Sequence, residues 1–188
     1  MNKDVGVIRT FVCTIPDAAS VSEIGEFIER IRGFREYKCV SLEQIHITLK
    51  FLGNTSLEQA QRLDTNLSRL GALRPFWVKI YHAGAFPNMS RPKSLWLGIR
   101  DGGDSLEKLA SLVDKAAQKS GFAPERRRFK AHITVARART EGELSEEMSN
   151  VLTCAPTPSW LVESFILMKS VLTPQGPVYT PLGEYPLK

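Results

Sequence analysis

Cysteine is scarce in this sequence, and its spacing argues against two kinds of stabilising site. The 188 residues include only Cys13, Cys39 and Cys154, which are far apart and form no C-x-x-C pair. A disulfide framework or a structural zinc site is not expected from so few, widely separated thiols. Free thiols are typical of a reducing compartment, so we predict a cytoplasmic protein.

Long apolar segments and familiar nucleotide-binding loops are also lacking. No stretch approaches the roughly 20 continuous apolar residues that a membrane helix needs, and the first residues show no signal-peptide pattern. We therefore expect no membrane association. The sequence has no glycine-rich phosphate loop and no G-x-S-x-G elbow, which argues against P-loop, Rossmann and serine-hydrolase chemistry.

The composition is that of a folded protein with a mild preference for anionic partners. A hydrophobic fraction of 43% supplies enough apolar side chains for a sizeable core. Lysine and arginine number 25 against 20 aspartates and glutamates, which gives a formal net charge of +5. That balance favours a polyanionic partner without identifying one, and no obligate protein partner is predicted.

Hydrophobic periodicity predicts strands alternating with helices. Strands are predicted at residues 5–15, 44–53, 76–85, 94–100, 131–139, 161–172 and 178–182, and helices at 20–34, 57–71, 104–121 and 143–152. The order strand, helix, histidine-bearing strand, helix occurs nearly twice, which indicates an internal duplication. We predict an α+β fold: two pseudo-two-fold-related lobes of antiparallel sheet, with helices outside and a central cleft. Residues 1–188 are predicted to form one bilobal domain.

Two of the three histidines open identical triplets, His46-Ile47-Thr48 and His132-Ile133-Thr134. Because residues i and i+2 of a strand project from the same face, about 7 Å apart, each triplet presents an imidazole beside a hydroxyl. Alternation in the first triplet's strand predicts a core face of Ile45, Ile47, Leu49 and Phe51 and a cleft face of His46, Thr48 and Lys50.

A cleft with two imidazoles and two hydroxyls suits in-line displacement at phosphorus. One histidine can activate the nucleophile as a base while the other protonates the leaving oxygen as an acid. An unperturbed pKa near 6.5 allows one ring to be neutral and the other charged at about pH 7. A catalytic zinc site fits less well, because it normally has three protein ligands. His82 has no matching threonine and is predicted to be structural.

The residues around both triplets resemble a known family. Segments 46–53 (HITLKFLG) and 132–137 (HITVAR) are similar to the paired motifs of the two-histidine (2H) phosphoesterases. Within that group they resemble the RNA 2′,3′-cyclic phosphodiesterases, historically called 2′-5′ RNA ligases. Residues 9–11, 84–87 and 170–179 extend the resemblance along nearly the whole chain. Ala131 is a departure, because the family often has proline before the second histidine.

This resemblance implies hydrolysis of a 2′,3′-cyclic phosphate at an RNA end to a 2′-phosphomonoester, without a metal or other cofactor. His46 would be the general acid that protonates the departing 3′ oxygen, and His132 the general base that activates water. Thr48 and Thr134 would hold the phosphoryl oxygens. Attack by an RNA 5′-hydroxyl in place of water would form a 2′-5′ bond, a reversible ligation at the same site.

Other interpretations stay open. A small nucleotide, such as a cyclic phosphate of ADP-ribose or a 2′-5′-linked oligoadenylate, is an alternative substrate for the same catalytic pair. A non-catalytic RNA-binding module, in which the histidines only contact phosphate, is a further alternative. The two motifs are nearly symmetric, so the residues alone allow either histidine to be the acid.

Four further residues are candidate substrate contacts. Lys50 would neutralise phosphate from the predicted cleft face, or else be a solvated strand lysine. Arg137 belongs to the family motif, but simple alternation turns it away from His132, so its use requires a bend or a strand end. Lys130 follows a basic run and would track an RNA backbone or remain solvated. Phe11 would stack on a terminal base or join the core.

Overall fold

Alternating strands and helices make up the computed structural model, which describes residues 7–70 and 73–188. The elements are β1 Ile8–Thr14, α1 Ala18–Arg32, β2 Tyr37–Cys39, β3 Ile47–Thr55, α2 Leu57–Leu67, β4 Phe76–Phe86, β5 Ser94–Asp101, α3 Gly103–Lys119, β6 His132–Ala138, α4 Glu146–Thr153, β7 Ser159–Val162, β8 Ser164–Thr173 and β9 Gly176–Pro186. A short 3-10 helix, Leu42–Gln44, precedes β3.

The prediction missed β2, and the strand predicted at 161–172 is divided into β7 and β8 at Glu163. The predicted strand start at residues 5–6 and the predicted helix end at Gly71 lie outside the described residues. In the described part of the chain, no helix is both long enough and apolar enough to span a membrane.

Both halves of the chain contribute to one antiparallel sheet. The strand order is β7-β4-β5-β6-β3-β1-β8-β9, and β2 pairs with β6 beside this order. The sheet divides into two four-stranded halves, β6-β5-β4-β7 and β3-β1-β8-β9, which meet where Ile47 of β3 pairs with Ile133 of β6. The predicted α+β fold with two related lobes is therefore confirmed, and the lobes are the two halves of a continuous sheet.

The helices cover one face of the sheet and cross between its halves. Asp17 caps α1 by accepting a hydrogen bond from the Ser20 amide at 2.8 Å. The buried stripe of α1, which includes Ile24, Phe27 and Ile31, faces the half that contains β6, although α1 follows β1. In the same way α3 follows β5 but packs on β3. These reciprocal crossings join the halves and leave the opposite face of the sheet open as a cleft.

A bulge in β3 changes which side chains reach that cleft. Thr48 lies opposite Cys13, but Lys50 lies opposite the next residue of β1, Val12. The extra residue breaks the predicted alternation, since two residues of β3 oppose one residue of β1. As a result Lys50 turns toward the helices and Phe51 turns outward, with 69% of its surface exposed. The predicted cleft position of Lys50 and the predicted core position of Phe51 are both wrong.

A second bulge, in β6, turns Arg137 toward the cleft, although simple alternation would turn it away. Trp96 of β5 lies opposite Thr134, whereas its neighbour Leu95 lies opposite Ala136. The extra residue, Val135, shifts the alternation so that Arg137 faces the same side of the sheet as Thr134. This is the bend that Arg137 required in order to face the site.

Candidate active site

The cleft lies where the two halves of the sheet meet, on the face away from the helices. Its volume is about 720 Å³, and it is lined by Lys38, Cys39, Val40, Ser41, Glu43, Gln44, His46, Thr48, Phe51, His132, Thr134, Arg137, Thr173, Gln175, Gly176, Pro177, Val178 and Tyr179. The structure thus brings together both histidines and both threonines of the two triplets, together with Arg137.

Both imidazoles are held by the same local hydrogen bond. Nδ1 of His46 is 2.7 Å from the carbonyl oxygen of Gln44, and Nδ1 of His132 is 2.7 Å from that of Lys130. A carbonyl oxygen only accepts, so each Nδ1 carries a proton and each Nε2 is left for the cleft. Nε2 of His46 lies 3.0 Å from Oγ1 of Thr48, whereas among the described residues Nε2 of His132 makes no hydrogen bond.

The pairing of Ile47 with Ile133 fixes the relative positions of the triplets. In an antiparallel pair it sets His46 beside Thr134 and Thr48 beside His132 across the two strands. The histidines occupy one diagonal and the threonines the other. Diagonal positions of paired strands are roughly 7–8 Å apart, which leaves room for one phosphate group between the two imidazoles.

Burial and positive charge lower the pKa of both histidines below their ordinary value of 6.5. Burial is the largest cause in each case, and the hydrogen bonds to the backbone carbonyls partly oppose it. The charge of Arg137 lowers the pKa of both rings, and Lys130 adds to the effect on His132. Both imidazoles are therefore mainly neutral near pH 7 in the free protein, and a bound anion would favour their protonation.

Aromatic side chains pack around each histidine. The His46 ring packs against Phe11 at 4.9 Å between centroids and edge-on against Tyr179 at 5.5 Å. The His132 ring packs edge-on against Phe86 at 5.0 Å, with Trp96 at 6.2 Å. Since aromatic contacts of this kind have preferred geometries, they hold the imidazoles in place while the Nε2 atoms face the cleft.

Two glycines make room for the Trp96 indole beside His132. A Cβ atom added to Gly84 would lie 2.5 Å from the Trp96 ring, and one added to Gly98 would lie 2.8 Å from it. Only glycine allows such a close approach of backbone and ring. His82 also packs on the indole, at 5.3 Å between ring centroids, and is itself exposed.

Three of the four predicted substrate contacts are outside the cleft lining. The ammonium of Lys50 is buried, forms an ion pair with Asp114 of α3 and donates to the Ala123 carbonyl at 3.1 Å. Phe11 is only 4% exposed because its ring packs against His46, Phe51 and Tyr179, so it offers no free face to a base. Lys130 is exposed and lies 5.5 Å from the Phe86 ring centroid, beside the cleft but outside its lining.

Several cleft residues were not predicted individually. Phe51 was not predicted to line the cleft, because simple alternation does not detect the bulge in β3. Tyr179 falls within the similar segment 170–179, which was the one sequence signal for it. Gln44 and Lys38 reach the cleft through tertiary contacts with the β8–β9 hairpin: Gln44 donates to the Pro177 carbonyl at 2.7 Å. Among the described residues, no three histidine, cysteine or acidic side chains are grouped to hold a metal ion.

Fold and site together define an antiparallel α+β protein in which two related halves each supply a His-x-Thr strand to a shared phosphoesterase-like cleft. The sequence model of the 2′-5′ RNA ligase superfamily matches residues 20–173. The chain belongs to this superfamily.

Curated relatives and solved structures are similar over almost the full chain. An RNA 2′,3′-cyclic phosphodiesterase of Archaeoglobus fulgidus is 31% identical over 178 residues, covering 95% of this chain and 99% of the relative. One of Aquifex aeolicus is 30% identical over 183 residues, covering 95% and 97%. The crystal structure of Escherichia coli LigT superposes with a TM-score of 0.77 at 26% identity, covering 97% of this chain and 98% of LigT.

Proposed function

We propose that this protein hydrolyses 2′,3′-cyclic phosphate ends of RNA to 2′-phosphomonoesters. The observation that carries the proposal is the matched pair of histidines, each with its Nδ1 bonded to a backbone carbonyl and its Nε2 directed into one cleft. Relatives that carry the name RNA 2′,3′-cyclic phosphodiesterase support the same reaction. We also propose that residues 1–188 act as one bilobal domain in the cytoplasm, without a metal or other cofactor.

In this proposal His132 is the general base and His46 the general acid. A water oxygen attacks phosphorus and its proton passes to Nε2 of His132, which makes no competing hydrogen bond among the described residues. The bond between phosphorus and the 3′ oxygen breaks, and Nε2–H of His46 protonates that oxygen. The products are a 2′-phosphate and a free 3′-hydroxyl. With an RNA 5′-hydroxyl as the attacking group in place of water, the same site would form a 2′-5′ bond.

The remaining polar groups stabilise charge on the phosphate. Thr48 and Thr134 occupy the other diagonal of the paired strands and donate to the non-bridging oxygens. Arg137 adds a positive charge at the same cleft, where it offsets the charge of the phosphate. The same phosphate raises the pKa of His46 on binding, which supplies the proton that the acid must carry.

A small nucleotide with a cyclic phosphate is the second candidate substrate. It is favoured by crystal structures of Escherichia coli LigT complexed with 3′-AMP, NADP⁺ and ATP. A cleft of about 720 Å³ is in the range of small-ligand sites. The catalytic pair would be the same, and only the contacts outside the phosphate would differ.

The proposal is tested with purified protein in EDTA and a short RNA that ends in a 2′,3′-cyclic phosphate. We expect conversion to the 2′-phosphate by the parent, and loss of at least about 100-fold in rate for His46→Ala and for His132→Ala. Gln61→Ala is the control, since this residue of α2 lies outside the cleft lining and away from the aromatic rings that pack on the histidines. Circular dichroism of all variants checks that each is folded.

The other outcomes are informative in different ways. Turnover of a nucleoside 2′,3′-cyclic phosphate or of a cyclic phosphate of ADP-ribose, without turnover of RNA, would favour the small-nucleotide substrate. Binding of RNA without turnover of either substrate would favour a non-catalytic module. Activity that survives in both alanine variants would contradict the assignment of the histidines.

A further inference from the structure

A second cavity opens beside the cleft and is rich in positive charge. Its volume is about 540 Å³, and it is lined by Arg32, Phe34, Arg35, Tyr37, Lys38, Cys39 and Arg139. We call it the basic pocket. Lys38 and Cys39 line the cleft as well, so the two cavities are neighbours across β2. Four of the seven lining side chains are cationic, and none of these described residues is acidic.

Strand pairing explains how the cations are brought together. Lys38 of β2 lies opposite Arg137 of β6, and Arg139 follows two residues later, with its amide donating to the Glu36 carbonyl at 2.8 Å. Residues two apart in a strand are about 7 Å apart on the same face. Arg137 and Lys38 line the cleft, and Lys38 and Arg139 line the basic pocket, so the cationic side chains of the two cavities adjoin at Lys38.

Two of the guanidiniums come from separate elements of the fold. Arg32 ends α1 and Arg139 follows β6, and both line the pocket together with Cys39. Burial raises the pKa of the Cys39 thiol, the charges of Arg32 and Arg139 lower it, and the Glu29 carboxylate raises it. The pocket is a place where separate elements of the fold converge.

Two of the four cationic side chains of the pocket have partners within the protein. Arg32 forms an ion pair with Glu29 at 2.9 Å and lies in the last turn of α1, where a cation complements the helix dipole. Lys38 donates to the Gln175 carbonyl at 3.4 Å. For Arg35 and Arg139 the described part of the chain provides no ion pair, and both side chains are exposed. These two guanidiniums are available to an external anion.

We propose that the basic pocket binds a backbone phosphate upstream of the terminal nucleotide, so that the preferred substrate is an RNA strand and not a mononucleotide. This inference rests on the proposed function. With the cyclic phosphate between the histidines, the strand leaves the cleft past Arg137 and Lys38, and its next phosphates meet Arg35 and Arg139. Guanidinium groups suit this role because their paired N–H groups match two phosphate oxygens.

The test compares two substrates that differ only in upstream phosphates. One is a nucleoside 2′,3′-cyclic monophosphate, and the other is a short RNA that ends in the same cyclic nucleotide. For the double variant Arg35→Gln/Arg139→Gln we expect KM for the RNA to rise about tenfold, with kcat/KM for the mononucleotide unchanged. The slope of log KM against log salt should fall by about 0.7 for each phosphate that the variant no longer neutralises. Arg62→Gln, an exposed arginine on α2, is the matched control.

The two proposals fail in different ways. If the parent turns over both substrates and the double variant loses the same factor on both, or loses nothing on either, the upstream phosphate site is wrong and the proposed function stands. If the parent turns over neither substrate, the proposed function fails. Fluorescence anisotropy with the labelled RNA then tests the pocket alone: weaker binding by the double variant, but not by Arg62→Gln, supports it, and equal binding overturns it.

Discussion

Ile47 of β3 pairs with Ile133 of β6, and both side chains are fully buried. The pair joins the two halves of the sheet and also lies at the centre of both His-x-Thr triplets. Because neighbouring residues of a strand point to opposite faces, anchoring these two isoleucines in the core directs His46, Thr48, His132 and Thr134 to the cleft. The geometry of the candidate site is thus fixed by a hydrophobic contact behind it.

The lowered histidine pKa values predict an acidic optimum. The reactive form carries one proton on the pair, and kcat/KM reports groups of the free protein. Since both pKa values lie below 6.5, this form is most abundant below that pH. We expect a bell-shaped profile of kcat/KM with its maximum below about pH 6.5 and a fall toward pH 8. A flat profile between about pH 5 and 8 would contradict the two-histidine scheme.

Arg137→Gln should move that profile in a defined direction. The guanidinium lowers the pKa of both histidines, so its removal raises both, and both limbs of the bell shift to higher pH. The maximum value of kcat/KM should also fall, because a charge that faces the phosphate is lost. In the control, Arg62→Gln, neither limb should move. A drop in rate with an unshifted profile would mean that Arg137 acts on the substrate alone.

The buried ion pair between Lys50 and Asp114 predicts a stability effect without a substrate effect. The side chains of Lys50 and Asp114 are 4% and 19% exposed. Asp114→Ala leaves the ammonium buried without its partner, so we expect a loss of about 3 kcal/mol in the free energy of unfolding in urea. Lys50→Met keeps the volume without the charge and should cost less. Neither change should alter KM for the cyclic phosphate.

A surface pair provides the control for that measurement. Arg62 and Glu58 of α2 also form an ion pair, but their side chains are 53% and 78% exposed. Glu58→Ala should change the free energy of unfolding by no more than about 1 kcal/mol, since exposed pairs contribute little. If Lys50→Met raised KM while leaving stability intact, the ammonium would have to reach the substrate after all.

Sequence patterns predicted most of this architecture because the core positions follow simple periods. The two triplets identified the strands that line the cleft, and helical spacing found α1 through buried residues such as Ile24 and Phe27. Alternation predicted the wrong face of the sheet for Lys50, Phe51 and Arg137. At each of these sites an inserted residue reverses the direction of the side chains that follow it. The basic pocket could not be predicted from the sequence, because its arginines come from elements that only the folded chain brings together.

Gly84→Ala tests the support behind His132. The added Cβ would lie 2.5 Å from the Trp96 ring, so the indole must shift, and its centroid is 6.2 Å from that of His132. We expect a loss of about 1–3 kcal/mol in stability and a lower kcat. Trp96→Phe in the same protein should recover part of both losses by making room. Gly142→Ala is the control, because nothing lies within 4 Å of its added Cβ. Unchanged stability in Gly84→Ala would rule out the close packing.

Gln44→Ala tests the wall formed by the β8–β9 hairpin. The amide of Gln44 donates to the Pro177 carbonyl at 2.7 Å, while its own backbone carbonyl holds Nδ1 of His46. The substitution removes the first hydrogen bond, together with the one that Gln44 Oε1 accepts from the Ser41 amide at 3.3 Å, and keeps the bond to His46. Pro177 and Tyr179 both line the cleft, so a loosened hairpin should raise KM severalfold and leave kcat and the pH profile of the histidines unchanged. Gln61→Ala, on α2, should alter none of these. If Gln44→Ala lowered kcat with KM unchanged, the side chain would be positioning His46 and not the hairpin.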